Sequence, residues 1–360
     1  MGGGQSKTST QFSPAQAFKP GRRNPAISAS ENGRLAIAVY LDNNQNEIYC
    51  CVGKLQVSQP ENGKDSDLIE WSNSEQLIAA SVSCSTPSVA ITNDGTIVLA
   101  YRMVSEYECY YQLGRIEVND SNSIRWEEAT SLETTSLGSG SNLTVSLAES
   151  SGHSTIVLGV VSKEGSVYVK IGKLDAGTKV IGWLDEKLQQ FSDLKSVKEL
   201  SLSLNKHNVL VAAYSTTLSE IFMIAGIIEL DSKEGTVTFQ TSSKPCRIGT
   251  GTCNSPSICI DACSRYVLVY QQSYKSWFHK QQTEMSKYHC GQLMFTFEST
   301  ESDKVICSGQ NPSLCLACSN KVIEFHELYS VEDTSGGIEY CCGSISGEDI
   351  VMKSQTAVRP

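Results

Sequence analysis

The chain has 360 residues, 40% hydrophobic and 19% charged, with 27 glycines and nine prolines, values that exclude a disordered, collagen-like or coiled-coil chain. Its formal charge of −10 argues against a nucleic-acid partner, because phosphate binding needs a basic face. Length alone suggests about two domains of roughly 150 residues, a prior that fails for repeat folds.

At the N-terminus no apolar stretch of the secretory kind is found. Met1-Gly2-Gly3-Gly4-Gln5-Ser6 instead fits the acceptor pattern for N-myristoylation at Gly2, the alternative being an unmodified glycine-rich start. One myristoyl chain binds a membrane only marginally. Lys7, Lys19, Arg22 and Arg23 give the first 30 residues a charge of +4 against −14 for the remainder, a weak electrostatic assist on anionic lipid. The longest apolar run, 221–228, is too short to span a bilayer. The expectation is a cytoplasmic monomer, or one peripheral to the cytoplasmic face of a membrane, with its 14 cysteines reduced.

From residue 24 onward six segments can be superimposed: Asn24-Pro-Ala-Ile-Ser-Ala, Thr86-Pro-Ser-Val-Ala-Ile, Asn142-Leu-Thr-Val-Ser-Leu, Glu199-Leu-Ser-Leu-Ser-Leu, Ser255-Pro-Ser-Ile-Cys-Ile and Asn311-Pro-Ser-Leu-Cys-Leu. Their second positions are spaced by 62, 56, 57, 56 and 56 residues. Each segment alternates apolar and polar residues and predicts a strand. Gly33, Gly95, Gly152, Asn208, Ser264 and Asn320 follow as turn residues, and a second strand comes after each, as in Leu35 to Tyr40. The third strand carries a recurrent glycine (Gly53, Gly114, Gly172, Gly226, Gly291, Gly343), which signals a bulge or close backbone approach. A fourth strand holds Trp71, Trp126, Trp183 and Phe239, and degenerates to Val305-Ile306 and Ile350-Val351-Met352 in the last two copies.

Four short strands per repeat and six repeats predict an all-β fold, a six-bladed β-propeller of antiparallel strands, with blades near 24–85, 86–141, 142–198, 199–254, 255–310 and 311–360 and a leader of residues 1–23. Closure would let Gln11 to Lys19 pair with the last blade. The recurring P-S-V-A-I, D-G-T-I-V-L-A-Y, Y-x-x-G-x-I and I-x-W pattern resembles the repeats of sialidase-like and lectin-like propellers. That resemblance implies carbohydrate recognition. It departs from the sialidases in two ways: no S-x-D-x-G-x-x-W Asp-box occurs, and the arginines available to grip a carboxylate (Arg34, Arg102, Arg115, Arg125, Arg247, Arg265) sit in no shared motif.

The second strands end in Tyr40, Tyr101, Val160, Tyr214, Tyr270 and His326. Tyrosine joins an apolar face to a hydroxyl, so a ring of these positions is a candidate ligand surface, the competing reading being packing between blades. The fifth blade has a long connection in which Trp277, Phe278 and His279 lie between Lys275 and Lys280, a second candidate for binding. Cys315-Leu-Ala-Cys318 lacks a second pair at zinc spacing. Cys259 and Cys315 replace the small residues Ser28, Ala90, Ser146 and Ser203, so structural cysteines are expected, with no metal and no cofactor. Asp42 to Glu47 lacks calcium-loop spacing. Three functions compete: a non-enzymatic recognition propeller for a glycan or protein ligand, an N-myristoylated interaction scaffold, and a sialidase-like glycoside hydrolase, which needs two carboxylates across a pocket.

Overall fold

The computed structural model describes residues 16–351 except positions 45, 56–68, 73, 80–82, 107, 118–122, 135–141, 151, 185–187, 192–193, 231–236, 242–244, 249–251, 262–263, 276–281, 294–296, 308–309, 320–321, 332–336 and 347–348. Beyond Ser273 it describes side chains only at 312–315 and Ile338. All regular structure among the described residues is β-strand, and no helix is long and apolar enough to cross a membrane.

The strands fall into antiparallel sheets, here designated I to VI in the order of their inner strands. Sheet I runs from the inner strand Arg22–Ala29 through Leu35–Asp42 and Ile48–Leu55 to an outer strand broken into Ile69–Trp71 and Gln76–Ala79. Sheet II repeats this with Cys84–Ile91, Thr96–Met103, Cys109–Ile116 and the pieces Ile124–Trp126 and Thr130–Ser131. Sheet III comprises Asn142–Ser150, His153–Val161, Val167–Asp175, Ile181–Trp183 and Gln189–Gln190. Sheet IV comprises Val197–Leu204, Val209–Thr216, Ile221–Leu230, Val237–Thr241 and Cys246–Arg247. Sheet V is Thr252–Ile260, Arg265–Lys275, Gln282–Leu293 and Phe297–Cys307. In sheet VI, Gln310–Ser319, Val322–Val331 and Gly337–Ser346 are completed by outer pieces from both ends of the chain, Asp349–Val351 and Gln16–Pro20.

Local sequence accounts for these elements. Gly33, Gly95, Gly152, Asn208 and Ser264 all have positive φ, as the hairpin between the first two strands demands. The recurrent glycine of the third strand is opposite the outer-strand tryptophan: Gly53 pairs Trp71, Gly114 pairs Trp126 and Gly172 pairs Trp183. A Cβ on these glycines would lie 2.7–2.8 Å from the indole, so the glycine makes room for the ring. In sheet IV the register differs, since Gly226 pairs Thr241 while Phe239 pairs Ile228. One expectation is corrected. The outer strand of sheet V is not degenerate, because residues 297–307 pair along the third strand through several bulges. The pairing expected between the N-terminal segment and the last repeat is present at Gln16–Pro20, which pairs with residues 337–340, and the inner strand of sheet I begins at Arg22.

Among the described residues, buried aliphatic side chains seal the interfaces between neighbouring sheets: Val39 and Leu41 cluster with Val89 and Leu99 between I and II, and Val157 and Val161 with Leu202 and Leu210 between III and IV. Further clusters join II to III, IV to V and VI to I. The inner strands touch their neighbours in sequence, and that of sheet I also touches that of sheet VI.

A hydroxyl ladder reinforces this order. Ser88 accepts the backbone N–H of Val145 (3.0 Å), Thr144 that of Leu202 (3.5 Å), Ser201 that of Ile258 (3.1 Å), Ser257 that of Leu314 (2.9 Å) and Ser313 that of Ile27 (3.1 Å). Ala26 holds the equivalent position in sheet I and has no hydroxyl to offer. The residues alternating with the ladder form a second tier, in which Ser146 accepts from Leu204 and Ser203 from Ile260, while the Cys259 thiol donates to the Leu314 carbonyl. Inner strands are sheet edges, so these side chains satisfy N–H groups that no further strand would pair, each to a net benefit of about 1 kcal/mol.

Candidate functional site

The inner strands enclose a channel whose wall is formed from all six sheets. The mouth at their N-terminal ends is lined by Asn24, Thr86, Asn142, Glu199 and Ser255, the first positions of five aligned segments, together with Pro25, Pro87, Pro256 and Pro312, around a cavity of about 210 Å³. Proline shapes this rim. It has no N–H to give the ladder, so the strand bulges there. Register shifts fall at Arg23/Ala26, Ser85/Ser88, Asn254/Ser257 and Gln310/Ser313 in the proline-bearing sheets and at Val197/Glu199 in sheet IV, whereas sheet III, with Leu143 in place of proline, pairs without interruption. At three bulges the residue before proline is left-handed: Asn24 (φ 48°), Thr86 (φ 47°) and Ser255 (φ 49°). For a β-branched threonine this is a strained conformation, of the kind that concentrates at ligand clamps.

The rim is otherwise braced by hydrogen bonds. Glu199 Oε2 accepts from the Ser255 backbone N–H (2.6 Å) and the Ser215 hydroxyl (2.8 Å), and its other oxygen lies 3.9 Å from Lys198. Asn142 Oδ1 accepts from Leu200 N–H (3.0 Å). The Thr86 hydroxyl is buried with no partner. Among the described residues of this mouth Glu199 is the one carboxylate and no arginine is present. Hydrolysis of a glycoside takes two carboxylates. Besides Glu199, this rim supplies neutral donors and acceptors beside the prolines.

The tyrosine ring does not form a ligand surface. Tyr40, Tyr101, Tyr214 and Tyr270 are between 0% and 5% exposed, as is Val160 at the equivalent position. Tyr40 donates to Glu75 Oε1 (2.8 Å), Tyr101 stacks on Tyr110 and Tyr214 on Phe222. Burial pushes the hydroxyls of Tyr101 and Tyr214 up to about 12, and that of Tyr40 higher still. The physical reason is that a second strand is covered on both faces by neighbouring sheets, so both of its side-chain rows are core. His326 lies in the strand Val322–Val331, with its side chain outside the described residues, as are Gly2, Trp277, Phe278 and His279.

Sequence reasoning also missed Glu75. This half-buried carboxylate binds Arg22 (2.9 Å), Lys19 (3.5 Å) and the Tyr40 hydroxyl, and these partners outweigh burial to hold it below the usual range. Arg22 also stacks over Tyr49, and Arg23 donates to Asn46. Three of the four cations expected to form a basic arm are therefore engaged within the fold. The described cysteines are thiols rather than disulfides, most of them buried, and no group of His, Cys, Asp or Glu among the described residues is arranged to hold a metal. Burial raises Cys50, Cys51 and Cys84 well above the usual thiol range, so they are unreactive core residues.

No family model matches the sequence, and neither does any curated protein. Solved structures do. A sialidase of Trypanosoma rangeli, crystallised with the inhibitor DANA, matches with a TM-score of 0.51 at 10% identity, over 92% of this chain and 58% of that one. The Hadza microbial sialidase Hz136 gives 0.51 at 12% identity over 89% and 65%. AofleA from Arthrobotrys oligospora gives 0.51 at 7% identity over 95% and 94%. The chain thus spans under two thirds of the length of both sialidases and nearly all of AofleA, and at such identities what is shared is architecture: the chain is an all-β propeller of antiparallel strands.

Proposed function

We propose that sheets I to VI are the blades of one closed six-bladed ring and that it recognises a carbohydrate or similarly polyhydroxylated ligand at the axial mouth without cleaving it. The single observation that carries this reading is the rim itself, where hydrogen-bonding side chains, Glu199 the one charged among them, stand at successive equivalent positions and Thr86 keeps an unpartnered hydroxyl on a strained backbone. A glycan array probed with the full chain tests it, followed by titration of wild type and Thr86→Val, which keeps the side-chain shape and removes the hydroxyl. Binding that weakens about tenfold or more in the variant supports the reading. No glycan bound at millimolar concentration removes the sugar, and unchanged affinity of the variant removes the mouth.

The Gly2 pattern favours a second reading, a myristoylated scaffold that presents the ring to a protein partner at a membrane. Intact mass of the protein from a eukaryotic host decides it, since an unmodified Gly2 ends the membrane half.

A further inference from the structure

The opposite end of the channel has a different chemistry. There the first hairpin turns of sheets I to III and the start of the turn in sheet IV bound a cavity of about 560 Å³, a volume typical of small-molecule sites. Its wall carries both signs of charge: Glu31 from sheet I, Asp94 from II, Glu149, His153 and Lys179 from III, and Lys206 from IV. Some of these groups already have partners. Asp94 takes donors from Thr92, Thr96 and Lys179, and His153 Nε2 is 3.3 Å from the Ser150 hydroxyl.

Others are unspent. Glu149 Oε1 accepts the backbone N–H of Asn93 (2.7 Å), but its Oε2 is buried with no donor. A buried carboxylate oxygen without a donor is costly, and such an atom calls for an occupant that supplies one. Burial together with the charges of Glu31 and Asp94 lifts the Glu149 carboxyl above its ordinary range, despite the Asn93 N–H and the charge of Lys179. Lys206 is exposed and lines both this cavity and the channel. A bare metal ion fits poorly, because the space is large and the described residues form no metal-ligating group.

We propose that this cavity is a second ligand site, independent of the axial mouth, for a small zwitterion whose ammonium group is held by Glu31 and Glu149 and whose carboxylate pairs with Lys206, as in a free α-amino acid. The test is calorimetric titration of the full chain with the free proteinogenic amino acids, using acetate and methylammonium as half-ligand controls. The expected result is sub-millimolar binding of at least one amino acid, both halves binding at least about tenfold more weakly, and a loss of about tenfold or more in each of Glu149→Gln and Lys206→Met. Glutamine keeps the oxygen that accepts from Asn93, and a thermal melt of each variant separates loss of the site from loss of the fold. Absence of amino-acid binding at about 10 mM overturns the proposal, as does binding that both folded variants retain.

Discussion

The junction of sheets III and IV and the seam between sheets VI and I join equivalent faces by different means. At the regular junction, Asn142, Thr144 and Ser146 accept three successive N–H groups at Leu200, Leu202 and Leu204, over a broad aliphatic cluster. Among the described residues of the seam, the Ile27 N–H donates to the Ser313 hydroxyl, and side chains of the N-terminal strand add to this: Phe18 packs edge-on against Tyr40 and Trp71, and Lys19 joins Arg22 on Glu75. A junction between sheets made consecutively can rely on repeated polar pairs and close packing. The seam must also recruit and orient a strand from the far end of the chain, and it does so with rings and charges whose geometry is directional.

This contrast can be broken experimentally. The largest effect is expected at the regular junction, where Leu202→Ala should cost about 2–5 kcal/mol in denaturant unfolding, since the side chain is buried among aliphatics that cannot collapse around it. Next comes Glu75→Gln at the seam, expected to cost about 1–2 kcal/mol at neutral pH, a charged hydrogen-bond value discounted for the partial exposure of the group. Glu75 titrates below its unfolded value of 4.5, so its contribution is complete above that pH and is lost as pH falls through the lower folded value. Melting curves of wild type and Glu75→Gln should therefore converge in acid below about 4.5, and a gap that widens there would contradict the charge clamp.

Smaller effects probe the ladder. Ser201→Ala leaves the Ile258 N–H without its acceptor and should cost about 1 kcal/mol. Ala26→Ser should do the reverse. It places a hydroxyl at the one ladder position of the six that lacks it, for a gain of about 0.5–1 kcal/mol, and a loss instead would show that the sheet I–II contact is spaced differently.

Strand order, hairpin turns and the propeller class were legible because each repeats: a positive-φ residue returns at residues 33, 95, 152, 208 and 264, and no single-copy accident imitates that. Even the recurrent glycine was legible as a close approach, although its partner, the tryptophan across the outer pair, emerged only with the register. The site was less so. Period-two patterning says which strand face Tyr101 is on, but not that both faces of a second strand are covered. Asn24, Thr86 and Ser255 stood in the alignment as first positions, yet a residue before proline is ordinarily extended, so nothing local announced a left-handed rim. Glu75 occurs once and lies far in sequence from Arg22, so no spacing rule finds it.

The outer edge of sheet VI combines Asp349–Val351 with Gln16–Pro20, one piece from each end of the chain. During synthesis Gln16–Pro20 emerges well before its partner at residues 337–340, so it waits unpaired while the intervening sheets are translated. A loop-closure cost spanning the intervening sheets falls on that pairing, which makes it the slow, non-local step of assembly. The same arrangement sets Gln16 opposite Tyr340 and Val351 opposite Ser344 of one strand, so a permutant that links these two positions and is opened between sheets III and IV would turn the seam into a local junction and should assemble faster than the natural order.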